Sequence, residues 1–145
     1  MTFLLDVNVL IALIDPAHID HNGAHDWFET TGHTSWATCP LTENAVLRII
    51  GHTSYPNSPG SPALVVPLLR QMLTLPGHQF WGDDISLIAN ANVNQARLLN
   101  ASHVTDTYLL ALAKANGGKL ATFDRRLVTD AVIDGREALS LISST

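Results

Sequence analysis

Short apolar segments with the length of buried strands alternate along this chain with longer segments of helical spacing. A helix between two strands returns the chain to the same end of the sheet, so such strands usually pair in parallel. The alternation therefore predicts an α/β fold with a central, mostly parallel sheet. The predicted strands cover residues 3–5, 36–38, 78–81, 119–123 and 138–142.

Cap and turn residues set the bounds of the predicted helices. Asn8 is a good N-cap for a helix over residues 9–14, and Thr105 for a helix that ends at Gly117. Ser61 begins another helical segment, in which Pro67 must cause a kink or force a later start. The other predicted helices cover residues 22–31, 41–50 and 92–99.

Length, composition and charge limit the class of protein. A chain of 145 residues with 46% apolar and 14% charged residues should fold as one compact domain, residues 1–145. No apolar run approaches the ~20 residues of a membrane span, and no basic leader precedes the first strand, so we expect a cytoplasmic protein without a membrane partner. The net charge of −5 argues against a broad basic face that grips nucleic acid nonspecifically.

Four carboxylates follow predicted strands or begin predicted helices. Asp6 and Asp124 come directly after strands, whereas Glu43 and Asp106 lie in first helical turns. In a parallel α/β sheet these positions share one edge, where the binding crevice forms. Any one of these acids is explained by helix capping, but four together repel one another unless a cation intervenes. Oxygen ligands favour Mg²⁺ or Mn²⁺ over zinc, so the sequence predicts a site for a hard divalent cation.

The chain resembles the PIN-domain family, and within it the toxins of VapC type that belong to type II toxin–antitoxin pairs. The matching segments, in family order, are LLDVNVLIAL at residues 4–13, LTEN at 41–44, TDTYLLA at 105–111 and LATFD at 120–124. The resemblance implies a three-layer α/β/α sandwich and a metal-dependent endoribonuclease that hydrolyses RNA phosphodiester bonds. It further implies a homodimer and a cognate VapB-type antitoxin.

The resemblance also implies roles for single residues. Asp6, Glu43, Asp106 and Asp124 match the catalytic acidic quartet; Asp6, Asp106 and Asp124 are the expected ligands of Mg²⁺ or Mn²⁺, and Glu43 binds a second ion or orients the attacking water. Two residues are expected to support the site: Asn8, which stands where many relatives have Ser or Thr and could orient Asp6, and Thr105. At the rim, Arg125 and Arg126 could hold RNA phosphates, although a plain surface pair fits them equally well.

Two other functions remain open at this stage. A phosphatase or receiver-like domain also places an aspartate after its first strand, but Asp6-Val7-Asn8 lacks the second acid of the phosphatase pattern, and Lys119 precedes its strand instead of following it. The second alternative is a catalytically silent PIN-fold module that only binds a partner. Three closely spaced histidines, His18, His21 and His25, could form a zinc site. Solvent-exposed histidines near a helix start explain them better.

Overall fold

A computed structural model describes residues 1–144 and shows a five-stranded sheet in which every pairing is parallel. The strands are β1 (Phe3–Leu5), β2 (Trp36–Thr38), β3 (His78–Phe80), β4 (Lys119–Thr122) and β5 (Leu139–Leu141). Their order in the sheet is β3-β2-β1-β4-β5. The predicted α/β fold with a parallel sheet is confirmed, and each strand lies within a residue or two of its predicted bounds.

Within the described residues, five α-helices complete the fold: α1 (Val7–Ile14), α2 (His21–Thr30), α3 (Pro40–Ile50), α4 (Pro62–Leu73) and α5 (Val104–Ala115). Helix α4 begins at Pro62 and accommodates Pro67 in its interior. None of the helices in residues 1–144 combines the length and the apolar character that crossing a bilayer requires.

Alternate residues of the strands point to two separate cores. Leu5 and Ala121 pack with α1, α2, α3 and α4 on one face of the sheet, whereas Leu4 and Leu120 pack against α5 on the other. Because both faces of the central strands are covered, β1 is apolar throughout instead of alternating between apolar and polar residues. The three-layer sandwich that the resemblance implied is thereby confirmed.

Two predicted helix starts and one predicted helix are wrong. Helix α1 is capped by Asp6, whose Oδ1 accepts a hydrogen bond from the Val7 N–H at 2.8 Å, so Asn8 lies in the first turn instead of at the cap. Helix α5 begins at Val104 after a short 3-10 turn, so Thr105 is its second residue and caps nothing. Residues 92–99 form no α-helix, because asparagine side chains there bind nearby backbone and compete with helical hydrogen bonds.

Candidate active site

The carboxyl end of β1 is the point at which the sheet order changes direction. From β1 the chain builds β2 and β3 on one side, and it then crosses through α5 to place β4 and β5 on the other side. In open α/β sheets the binding crevice forms at such a switch point, beyond the carboxyl ends of the strands. Asp6 follows β1, Asp124 follows β4 and Asp106 begins α5, so these acids surround the switch point.

A cavity of about 780 Å³ opens at this point and is lined by Asp6, Asp106 and Asp124. Asn8 and Thr105 also line it, as does a face of α3 that carries Asn44 and Arg48. The three aspartates that the sequence grouped together are therefore brought to one cavity by three different elements.

Burial and the repulsion of neighbouring carboxylates disfavour the charged forms of Asp6 and Asp106. Asp6 is only 6% exposed, and its burial, with the charge of Asp124, raises its pKa above the ordinary value although hydrogen bonds from Thr122 and Val7 oppose this effect. Burial raises the pKa of Asp106 as well, with a further contribution from the charges of Asp6 and Asp124. A cation in this cavity would relieve the repulsion, which is the electrostatic behaviour of a metal site.

Thr122 connects the acids, and the sequence analysis missed it. Its fully buried hydroxyl donates to Asp6 Oδ2 at 2.8 Å and accepts from Asn8 Nδ2 at 3.0 Å and from the Asp124 N–H at 3.1 Å. One donor and two acceptors are all that a hydroxyl offers, so Thr122 is fully used. Asn8 thus acts on Asp6 through Thr122 and not by direct contact. The available signal was a polar residue at the last position of a buried strand.

Glu43 is not among the residues that line the cavity. Its Oε2 accepts a hydrogen bond from the buried Thr38 hydroxyl at 2.7 Å, and that hydroxyl lies 2.8 Å from His78 Nε2. Since the Thr38 proton is donated to Glu43, the His78 Nε2–H donates to Thr38 in turn. The structure therefore places Glu43 in the predicted first turn of α3 but directs its carboxylate to the β2 side.

Arg125 and Arg126 are both exposed, and neither lines the cavity. The Arg126 N–H donates to Asp124 Oδ1 at 2.9 Å, which fixes the Asp124 side chain through backbone and not through the guanidinium. Across residues 1–144, no group of three or more His, Cys, Asp or Glu side chains is close enough to hold a metal ion on its own. That applies to the histidines near α2 too: His21 Nδ1 and His25 Nε2 bind carbonyl oxygens of Ala12 and Leu13.

The family model of the PIN domain matches residues 3–129, which is most of the chain. The chain belongs to the PIN-domain family. This PIN domain is 43% identical over 131 residues to ribonuclease VapC39 of Mycobacterium tuberculosis, a match that covers 90% of this chain and 94% of that protein. It is 40% identical over 132 residues to ribonuclease VapC44 of the same organism, covering 91% and 92% of the two chains.

Solved structures share the fold of this PIN domain. VapBC2 from Rickettsia felis, bound to a DNA fragment from its promoter, aligns with a TM-score of 0.62 at 10% identity over 99% of this chain and 100% of that one. FitAcB from Neisseria gonorrhoeae aligns with a TM-score of 0.63 at 17% identity, covering 98% and 97%.

Proposed function

We propose that this protein is a metal-dependent endoribonuclease and the toxin of a toxin–antitoxin pair. One observation carries the proposal: Asp6, Asp106 and Asp124 line a single cavity at the switch point of the sheet, with pKa values of Asp6 and Asp106 raised by burial and repulsion. The relatives named ribonuclease VapC support RNA as the substrate.

Carboxylate oxygens of the three aspartates, directly or through metal-bound water, would hold Mg²⁺ or Mn²⁺. The donor set fits, because Mg²⁺ is commonly bound through one or two carboxylates and keeps several waters, so a closed three-ligand cluster is not required. When bound, the ion supplies Lewis acidity to the scissile phosphate and to the attacking water. The chain itself positions the ligands: the Thr122 hydroxyl donates to the Asp6 carboxylate, and the Arg126 N–H donates to the Asp124 carboxylate.

Hydrolysis adds water across one phosphodiester bond. The water oxygen forms a new bond to phosphorus, the bond from phosphorus to the leaving oxygen breaks, and that oxygen takes a proton. We propose that Glu43 orients the water, for which its side chain must turn from Thr38 towards the cavity. Arg125 and Arg126 remain proposed contacts to RNA phosphates at the rim.

The proposed partners are a VapB-type antitoxin and a second copy of this chain. The structural neighbours titled VapBC2 and FitAcB support the antitoxin. Light scattering of the purified protein tests the homodimer, and limited proteolysis tests whether residues 1–145 behave as a single domain.

The function is tested by incubating purified protein with total RNA in Mg²⁺ or Mn²⁺, with and without EDTA. We expect internal cleavage that EDTA abolishes and that Asp106→Asn removes, whereas Asp26→Asn on the exposed face of α2 cleaves normally. Cleavage that persists in EDTA would disprove the metal mechanism. Antitoxin binding without any cleavage would instead establish the silent partner-binding module.

A further inference from the structure

Helix α3 carries polar side chains out of the acidic cavity into a neighbouring groove. We call this the α3 groove: it has a volume of about 660 Å³ and is lined by residues that include Asn44, Arg48, His52, Thr53, Ser61 and Pro62. Asn44 and Arg48, one helical turn apart, line both the groove and the acidic cavity. A strand that leaves the cavity along α3 would therefore pass directly over Arg48.

The two depressions differ in charge. Three aspartates line the cavity, whereas the residues that line the α3 groove include the cation Arg48 and no acid. Among the described residues that line the cavity, Arg48 is the one with a cationic side chain. Its side chain is exposed, and its planar guanidinium can bind a phosphate through two parallel hydrogen bonds.

His52 presents a hydrogen-bond donor on the same side. Its Nδ1 accepts from the Ser54 N–H at 3.0 Å and lies 2.7 Å from the Ser54 hydroxyl, so the ring proton of the neutral imidazole resides on Nε2. His52 and Arg48 line the same groove, so the Nε2–H of His52 adds a hydrogen-bond donor to the cation there.

The walls of the groove are fixed by tertiary contacts. A Cβ atom on Gly51 would lie 2.6 Å from the Pro62 nitrogen, so only glycine lets the two ends of the 51–61 loop approach so closely. Within the loop, the Tyr55 hydroxyl and the Asn57 amide both donate to the buried carboxylate of Asp15 at the end of α1. The loop is therefore held against the body of the domain, and the groove has a defined shape.

We propose that the α3 groove is a second RNA subsite, which binds the phosphodiester backbone next to the bond that is cut. Arg48 binds a phosphate, and Asn44 and His52 donate to phosphate or ribose oxygens. The proposal rests on the proposed ribonuclease function. It states that the RNA strand extends from the acidic cavity along α3. It also gives this acidic protein a local cation for its polyanionic substrate.

Binding of a fluorescent single-stranded RNA to the uncleaving Asp106→Asn protein tests the subsite separately from catalysis. We expect Arg48→Ala in that background to weaken the affinity roughly tenfold and to lower the slope of log Kd against log salt by about 0.7, as for one lost phosphate contact. The matched control is Arg70→Ala, because Arg70 is likewise an exposed arginine in the last turn of a helix but lines neither depression. We expect this control to leave both quantities unchanged.

In the active protein, Arg48→Ala should raise KM and retain kcat, and Arg48→Glu should raise KM further. If Arg48→Ala and Arg70→Ala bind RNA with equal affinity, the proposed subsite is overturned. Cleavage of RNA by the wild-type protein would still support the ribonuclease function in that case. A loss of antitoxin affinity with unchanged RNA affinity would also overturn the subsite and make the groove a partner surface. Absence of both cleavage and RNA binding by the wild-type protein would overturn both proposals.

Discussion

At the scale of single residues, the site depends on how buried oxygens are paired. Asp6 has both carboxylate oxygens occupied, by the Val7 N–H and the Thr122 hydroxyl, yet burial still raises its pKa. Sequence spacing identified the aspartate but not this pairing, because Thr122 and Asp6 are 116 positions apart and meet only across β1 and β4.

The raised pKa values of Asp6 and Asp106 predict how stability depends on pH without metal. An acid whose pKa is higher in the folded state keeps a proton that the unfolded chain has lost, so the free energy of unfolding falls as pH rises from the ordinary value of 3.8 through the raised values. Urea unfolding in EDTA from about pH 4 to about pH 7 should show this fall. Asp106→Asn should flatten the profile. His78, whose pKa is lowered by burial, acts in the opposite direction, so the difference between the wild-type and Asp106→Asn profiles carries the test. Identical profiles for the two proteins would contradict a raised pKa of Asp106.

The contact between Thr38 and Glu43 predicts a separable effect on catalysis. Thr38→Val keeps the shape of the side chain but removes the hydroxyl that holds Glu43 Oε2, so we expect kcat to change several-fold while the affinity for Mn²⁺ at the aspartates stays the same. Thr30→Val, at an exposed position of α2, is the control. If Thr38→Val leaves kcat and its pH profile untouched, the contact between Thr38 and Glu43 has no influence on the reaction.

At the scale of elements, the predicted strands and helices were correct where one local signal acted alone. They were wrong where two local signals competed. Strand β1 was identifiable because it is a short apolar run, and β4 because it contains Leu120 and Ala121 and ends at Asp124 in the sequence pattern. Residues 92–99 carry a helix-like pattern, but Asn90 and Asn94 each accept from the backbone N–H two residues on, which fixes turns instead. At α5, a 3-10 turn whose Asn100 side chain accepts from the Ser102 N–H leads into the helix, so the helix begins before the capping residue that the pattern favoured.

The hydrogen bond from Tyr55 to Asp15 anchors the 51–61 loop to the end of α1, so removing it should lower local stability. Burial and the carboxylate of Asp15 raise the pKa of Tyr55 to about 12, so its hydroxyl stays protonated and donating across the physiological range. Tyr55→Phe removes one donor to a buried carboxylate, which should cost about 1–3 kcal/mol of unfolding free energy. Proteolysis within the loop should accelerate as well. In a double-mutant cycle, Tyr55→Phe should cost much less when Asp15 is already Asn, and strict additivity would rule out the anchor.

At the scale of the whole molecule, the order of the strands creates the site, and no local pattern in the sequence encodes that order. Asp6 and Asp124 are neighbours because β1 pairs with β4, and Asp106 joins them because α5 is the crossover that leads to β4. The carboxyl ends of parallel strands share one edge of a sheet, and this rule predicted that the three aspartates would lie close together. It could not predict that Glu43, on the same side of the fold, would accept a hydrogen bond from Thr38 and not line the cavity.

The folded domain as a whole should be stabilised by the metal it binds. A ligand that binds only the folded state adds ~2.7 kcal/mol to the unfolding free energy at a hundred times its dissociation constant. Thermal melts over a series of Mn²⁺ and Mg²⁺ concentrations should therefore show a rising Tm, with a much smaller rise for Asp106→Asn and an unchanged one for Asp26→Asn. Because the two aspartates differ in whether they line the cavity, the contrast separates binding at the site from general screening of the −5 net charge. Equal shifts in all three proteins would mean that the ions act through screening and that the cavity holds no metal.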